Sequence, residues 1–232
     1  MSYLWQEFNI KTFPAETLIF RDGIFCDDLS DYESVNFDSE NNTIIINKTS
    51  KLPIHIIYIG EIAGNIDINI NLNAKNANVF MTTKINVKKP AFLNIFIKNT
   101  GKNSVFNGQI IAQNYNLFNL VVNCEHLYEN TGIFVKNRIF AHHNSNTNLT
   151  GYAIIGKNIQ NCDSDISFSV MADDSAKIKM CPMQYIKSEP KNAKHSASIY
   201  KPNENQIEYL RGGGLSTDEI KDILKDAFLE QN

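Results

Sequence analysis

A chain of 232 residues, 43% hydrophobic and 20% charged, can bury one continuous apolar core, and its composition excludes wholesale disorder. The formal charge is −3, and the lysines fall in small groups such as Lys84, Lys88, Lys89 and Lys187, Lys191, Lys194, offset by carboxylates. No basic stripe runs along the chain, and no stretch approaches the ~18 apolar residues of a membrane span, so neither nucleic acid nor a membrane is an expected partner.

The first residues, Met1-Ser2-Tyr3-Leu4-Trp5-Gln6-Glu7, lack the basic start and apolar segment of a signal peptide, which makes the cytoplasm the expected compartment. Cys26, Cys124, Cys162 and Cys181 are scattered without CxxC spacing, as free thiols in a reducing compartment would be. Two composition shifts then divide the chain. Residues 1–200 form a β-region, rich in Ile, Val, Phe and Asn from about Thr43 onward, and residues 201–232 form a charged, Leu/Ile-periodic tail. Asparagine occurs 31 times, and its short side chain suits turns because it tolerates positive φ and bonds the local backbone.

In Asn65-Ile66-Asp67-Ile68-Asn69-Ile70-Asn71-Leu72-Asn73 every even position is apolar and every odd one polar, the pattern of a half-buried strand. Further short strands are predicted at Ala77–Met81, Ala91–Ile97, Val105–Ile111, Leu117–Val122, Leu149–Ile155 and Ile166–Val170. Turn-like clusters at Asn99–Asn103 and Asn144–Asn148 separate them. The class is all-β, and two arrangements compete. A sandwich needs tight hairpins, yet only Asn107-Gly108 and Asp22-Gly23 offer two-residue turns. A β-solenoid with coils of roughly 20 residues explains both the monotonous strands and the Asn-rich turns. A left-handed hexapeptide helix is disfavoured, since no apolar-Gly series is visible.

The tail carries the clearest local signal. Ser216-Thr217-Asp218-Glu219 is a capping box, and Ile220, Ile223, Leu224, Ala227 and Phe228 follow as one apolar stripe of an amphipathic helix. Before it, Asn203-Glu204-Asn205-Gln206 opens a shorter helix with Ile207, Tyr209 and Leu210, closed by Gly212-Gly213-Gly214. Either this hairpin caps the open end of the β-region, or its remaining face docks a partner. A DNA-reading helix is excluded by Asp218, Glu219, Asp222, Asp226 and Glu230, which would repel phosphates.

Other candidate ligands read mainly as structural. Cys124 and His126 share a face of a strand and could touch one metal, whereas the adjacent His142 and His143 point to opposite faces. Asp163-Ser164-Asp165 and Asp173-Asp174 sit in Asn/Ser-rich contexts and read as solvated turn residues. No P-loop, Rossmann fingerprint, Gly-x-Ser-x-Gly or His-Glu-x-x-His motif occurs, so the chain is not expected to be an enzyme.

The stretch Ala193-Lys194-His195-Ser196-Ala197-Ser198, then Gln206-Ile207-Glu208-Tyr209-Leu210, Gly214-Leu215-Ser216 and Ala227-Phe228, resembles the C-terminal signature of the SufB/SufD family of iron–sulfur cluster assembly scaffolds. Pro182 also falls where members carry a proline before their last coil, and Leu18 to Phe25 is similar to the first strand pair of SufD-like chains. The resemblance implies a right-handed parallel β-helix, a solenoid followed by a small helical hairpin. It further implies pairing with itself or a paralogous SufB/SufD chain, and an ABC-type, SufC-like ATPase bound to the tail. A transient iron–sulfur cluster would then be built at the paired interface, with no tightly bound cofactor. On this resemblance Tyr209, Leu210, Leu215, Ser216, Glu219, Ile220 and Phe228 are candidates for ATPase contact, with Tyr209, Leu215 and Phe228 expected to form a partly exposed patch. His195 is the candidate at the cluster or interface, joined by Cys162 only if the two lie close together.

The chain also departs from the family pattern. Gly213 replaces the arginine before Gly-Leu-Ser, Ser196 follows the histidine, and Ser167 stands where SufB-type members carry a cysteine. The chain is shorter than typical members, as a minimal form or a paralogue that no longer assembles clusters would be. Two rival classes remain: a β-helix polysaccharide lyase or hydrolase, and a non-catalytic structural solenoid that polymerises through uncapped ends.

Overall fold

The computed structural model describes residues 16–22, 24–25, 34–49 and 53–230, so Cys26 and the first seven residues lie outside the described part. Among the described residues fifteen strands precede two helices. One sheet holds β1 (Thr17–Arg21), β2 (Ile24–Phe25), β5 (Ile54–Glu61), β7 (Asn78–Val87), β9 (Val105–Asn114), β11 (Gly132–Ala141), β13 (Asp163–Ala172) and β15 (Asn192–Tyr200). The facing sheet holds β3 (Val35–Asp38), β4 (Thr43–Ile46), β6 (Gly64–Leu72), β8 (Ala91–Asn99), β10 (Leu117–His126), β12 (Asn146–Ile155) and β14 (Lys177–Ile186). The chain alternates between the sheets, and each strand from β5 onward pairs in parallel with the one two places earlier or later. This is a parallel β-solenoid of about six turns, the arrangement the family resemblance implies, rather than a sandwich.

A coil contains two strands and is longer than the predicted ~20 residues. Asn76 and Asn103 stack side by side 27 residues apart, and Thr131 and Cys162 do so 31 apart, so the coils widen toward the C-terminal end. Asparagine serves in two ways. Asn42, Asn76, Asn103, Asn130, Asn144, Asn158 and Asn161 adopt positive φ between 47° and 60° at the corners, a region closed to β-branched residues. Others face outward and form ladders, such as Asn94 Nδ2 to Asp67 Oδ1 at 2.6 Å and Asn148 Nδ2 to Asn119 Oδ1 at 2.8 Å. The predicted turn Asn144–Asn148 is therefore half strand, since β12 begins at Asn146. Asp163 and Asp165 likewise open β13 rather than a turn.

The two ends of the solenoid differ. At the first end each sheet finishes in a short antiparallel strand, β2 against β1 and β3 against β4. Phe20, Phe25 and Phe37 meet there with ring centroids 5.0–5.3 Å apart and plug the space between the sheets. Short antiparallel edges offer little template for further pairing. At the other end β14 and β15 are edge strands, and most of their residues are exposed or half-buried.

Both helices begin as read. In α1 (Glu204–Gly212) Asn203 Oδ1 accepts from the Asn205 amide and Gln206 Oε1 from the Asn203 amide. In α2 (Thr217–Glu230) Glu219 Oε2 accepts from the Ser216 amide at 2.8 Å, and Ser216 Oγ from the Glu219 amide at 3.3 Å. The Ser216 amide, and its hydroxyl at 2.7 Å, donate to the Glu219 carboxylate and hold it below its usual range. Gly214, at φ +87°, is the left-handed residue between the helices.

Candidate functional site

The hairpin does not cap the open end. Phe228 and Leu229 of α2 pack on Ile111, Phe140 and Met171, all of which face outward from the β9–β11–β13 sheet. Lys221 Nζ lies 2.8 Å from Asp173 Oδ1, and the Asp173 side chain is 7% exposed, so the helix is also tied to the corner between β13 and β14. At the neighbouring corner His142 stacks on Tyr115, centroids 3.8 Å apart, and burial lowers its pKa to about 4. His143 approaches Asp173 at 3.7 Å; both histidines lie in the corner after β11 rather than in a strand, so strand alternation does not set their directions.

This docking splits the predicted ATPase-contact residues. Ile220 and Phe228 are each 3% exposed against the solenoid, so Phe228 belongs to no exposed patch. Ser216 and Glu219 are engaged in the cap. Tyr209, at 82% exposed, remains outside, beside a groove of about 360 Å³ lined by Asn205, Gln206, Tyr209, Leu210 and Leu224. Ile223 is 44% exposed although the sequence puts it in the apolar stripe with Leu224. The stripe is wider than the solenoid can cover: Ile220, Leu224 and Phe228 turn inward and Ile223 does not.

At the open end the lumen-facing residues continue the core stacks with no described residue beyond them. His195 pairs with Ile166, which pairs with Val135, so its imidazole follows two buried side chains and is itself exposed. Ile199 follows Val170 in the same way and is 54% exposed. Opposite them, Ile178, Met180, Pro182 and Gln184 of β14 face inward in register with Thr147, Leu149, Gly151 and Ala153. Pro182 has a second consequence. The Lys177 amide bonds Ser145 across to β12, and strand amides alternate, so position 182 falls on the free edge where a proline loses no ladder bond.

Cys162 and His195 are not brought together. Cys162 lies one residue before β13, its carbonyl accepting from the Lys191 and Asn192 amides, four residues from the His195 level or roughly 13 Å along the strand. Its side chain is fully buried, with Sγ 3.3 Å from Thr131 Oγ1 and 3.4 Å from the Tyr128 carbonyl. This is one rung of an interior corner ladder. Ser104 bonds Asn99, Thr131 Oγ1 lies 2.7 Å from His126 Nδ1, and Cys162 takes the next place. Burial lowers the His126 pKa to about 4 and raises the Cys124 thiol. Among the described residues no group of three or more His, Cys, Asp or Glu side chains could hold a metal ion, and Cys124 and His126 are both fully buried. Ser167 faces outward opposite Ser196 and offers no thiol, whereas half-buried Cys181 lies outward on β14 opposite Thr150.

Sequence reading missed the charge of this end. Residues 177–201 contain six lysines and one glutamate, a net +5, which leaves −8 for the rest of a chain whose total is −3. Lys177 and Lys179 lie on the outer face of β14, Lys194 on that of β15, Lys187 and Lys191 share the connecting turn, and Lys201 follows β15. All six are exposed, and among the described residues none takes part in an ion pair.

A parallel β-solenoid with one unprotected end and a flank-docked helical hairpin bearing an exposed apolar groove defines the class. A protein-family model described as the SUF system FeS cluster assembly SufBD core domain matches residues 65–228, and the chain belongs to that family. Its role therefore lies in iron–sulfur cluster assembly by the SUF system. No curated protein matches the sequence. Among the described residues no helix is long and apolar enough to cross a membrane.

Proposed function

We propose that this chain is a scaffold of a SUF-type assembly complex, pairing through the open end of its solenoid and binding a SufC-like ABC ATPase through its hairpin. The observation that carries the reading is the pair of unprotected surfaces. One is the edge formed by β14 and β15 around an apolar lumen, the other the groove beside Tyr209. Exposed strand edges and apolar patches are costly to leave in water unless a partner covers them. The partner at the end is another SufB/SufD-type chain, and ATP turnover belongs to the ATPase, so the scaffold catalyses nothing by itself and works in the cytoplasm. The cluster is cargo assembled transiently at the paired ends, with His195 one ligand from each chain and no cysteine from Cys162. Imidazole ligates iron in some clusters, and the remaining ligands come from sulfide, small thiols or another protein.

The test is to mix the purified chain with the ATPase and measure binding for wild type, Tyr209→Ala and a chain lacking residues 203–232. An exposed aromatic anchor is worth about 2 kcal/mol, roughly thirtyfold in affinity. Loss of binding in both variants, with the thermal transition of Tyr209→Ala unchanged, is the expected result. Binding that survives the deletion returns the hairpin to a structural role.

A further inference from the structure

We infer that the open end selects a partner chain with an acidic terminal coil and discriminates against a second copy of this chain. The inference rests on the proposed pairing through that end and goes on to name the chemistry of the partner. Interfaces combine an apolar centre with a polar rim, and this end has both parts. Ile178, Met180, Ala197 and Ile199 line the lumen side, and the lysines surround it.

The placement of the lysines decides the outcome. Lys177 and Lys179 stand on one flank, Lys194 on the opposite flank, Lys187 and Lys191 at one corner and Lys201 after β15. Charge therefore occupies both flanks and the turn, so a two-fold axis through this end brings lysine toward lysine in either orientation. Glu189 is the one carboxylate within residues 177–201 able to offset them; Asp165, beside Lys194, lies one strand in. Like charges within a Debye length of about 8 Å repel, and juxtaposed like charges suppress wrong partners more than they alter the fold. A coil of the same two-sheet cross-section carrying carboxylates at these places would meet six unpaired ammonium groups. The strand edges and apolar lumen favour a protein occupant over a polyanion, which would need only the lysines.

The probe is this chain with Lys179→Glu, Lys187→Glu, Lys191→Glu and Lys194→Glu combined, and a companion set with glutamine at the same four places. Sedimentation equilibrium is run on each alone and on mixtures, from about 0.05 M to about 0.5 M salt. The edge is tested with Ala197→Pro: the Asn192 amide bonds Cys162, so by alternation the Ala197 amide points to the free edge. Expected is a wild-type chain that self-associates at least tenfold more weakly than it pairs with the glutamate variant. That mixed pairing weakens as salt rises and is lost with Ala197→Pro, while the glutamine set self-associates better than wild type. A wild-type dimer unaffected by salt but abolished by Ala197→Pro overturns the charge rule and leaves the end as an interface. Absence of pairing in every mixture overturns both, and tighter capture of wild type by a short DNA duplex than by the glutamate variant overturns the choice of a protein partner.

Discussion

Phe228 of α2 stacks on Tyr200, the last residue of β15, with ring centroids 5.6 Å apart and planes 22° from parallel. The residue that ends the solenoid is thus also the one that holds the hairpin against its flank. Truncating a buried phenylalanine costs on the order of 3 kcal/mol. Phe228→Ala should therefore loosen the hairpin, read as faster proteolysis in the 201–203 connection, while Tyr209→Ala should leave that rate unchanged. Equal protection of Phe228→Ala and wild type would show that the flank contact does not hold the helices.

Iron binding should separate His195 from Cys162. His195→Ala should lower the iron retained after anaerobic reconstitution of the paired scaffold, because the imidazole is exposed at the open end. Cys162→Ser should leave iron content and the thermal transition nearly unchanged, since serine keeps the bonds to Thr131 and the Tyr128 carbonyl. The same iron content in wild type and His195→Ala would remove the histidine from the site.

Stability should fall with acid in a window set by buried imidazoles. Burial lowers His126 to about 4, against 6.5 for an unfolded histidine, and His142 shifts the same way. The unfolded chain binds those protons first, so the contribution is fully present above 6.5 and is lost as pH falls toward 4. For fully buried His126 the full change is on the order of 3 kcal/mol. His126→Asn should flatten the slope, because Asn99 already fills the equivalent rung one coil earlier and bonds Ser104. Urea denaturation at stepped pH values measures it, and an unchanged slope in the variant would assign the acid sensitivity elsewhere.

The solenoid was legible where interior and exterior alternate without interruption, as in β6 and β10. It was hidden in β11, where Asn137 points inward and donates to the Ser167 carbonyl at 2.9 Å, and Phe140 points outward beneath α2. Tertiary partners override the period in both cases. The coil length was written in the corners, since Asn76-Ala77, Asn103-Ser104, Asn130-Thr131 and Asn161-Cys162 repeat one junction, but this shows only once a coil is known to contain two strands. Both helix caps were readable because a capping box is local. The docking face of α2 was not, because an amphipathic stripe announces that a helix is covered without saying by what. The lysine end was invisible for a related reason: Lys177, Lys179 and Lys194 are separated in sequence and gathered only by the turn of one coil.

On the proposed pairing, the difference between the solenoid's ends gives it an association valence of one. A rod with two live ends adds subunits without limit and becomes a filament. Here the antiparallel strands and phenylalanine plug close the first end, and among the described residues the hairpin leaves the second free by lying along the side. Under the proposed pairing the open end is consumed, so assembly is expected to stop at two solenoids. In such a pair the hairpins would project from the flanks, one hairpin groove per solenoid.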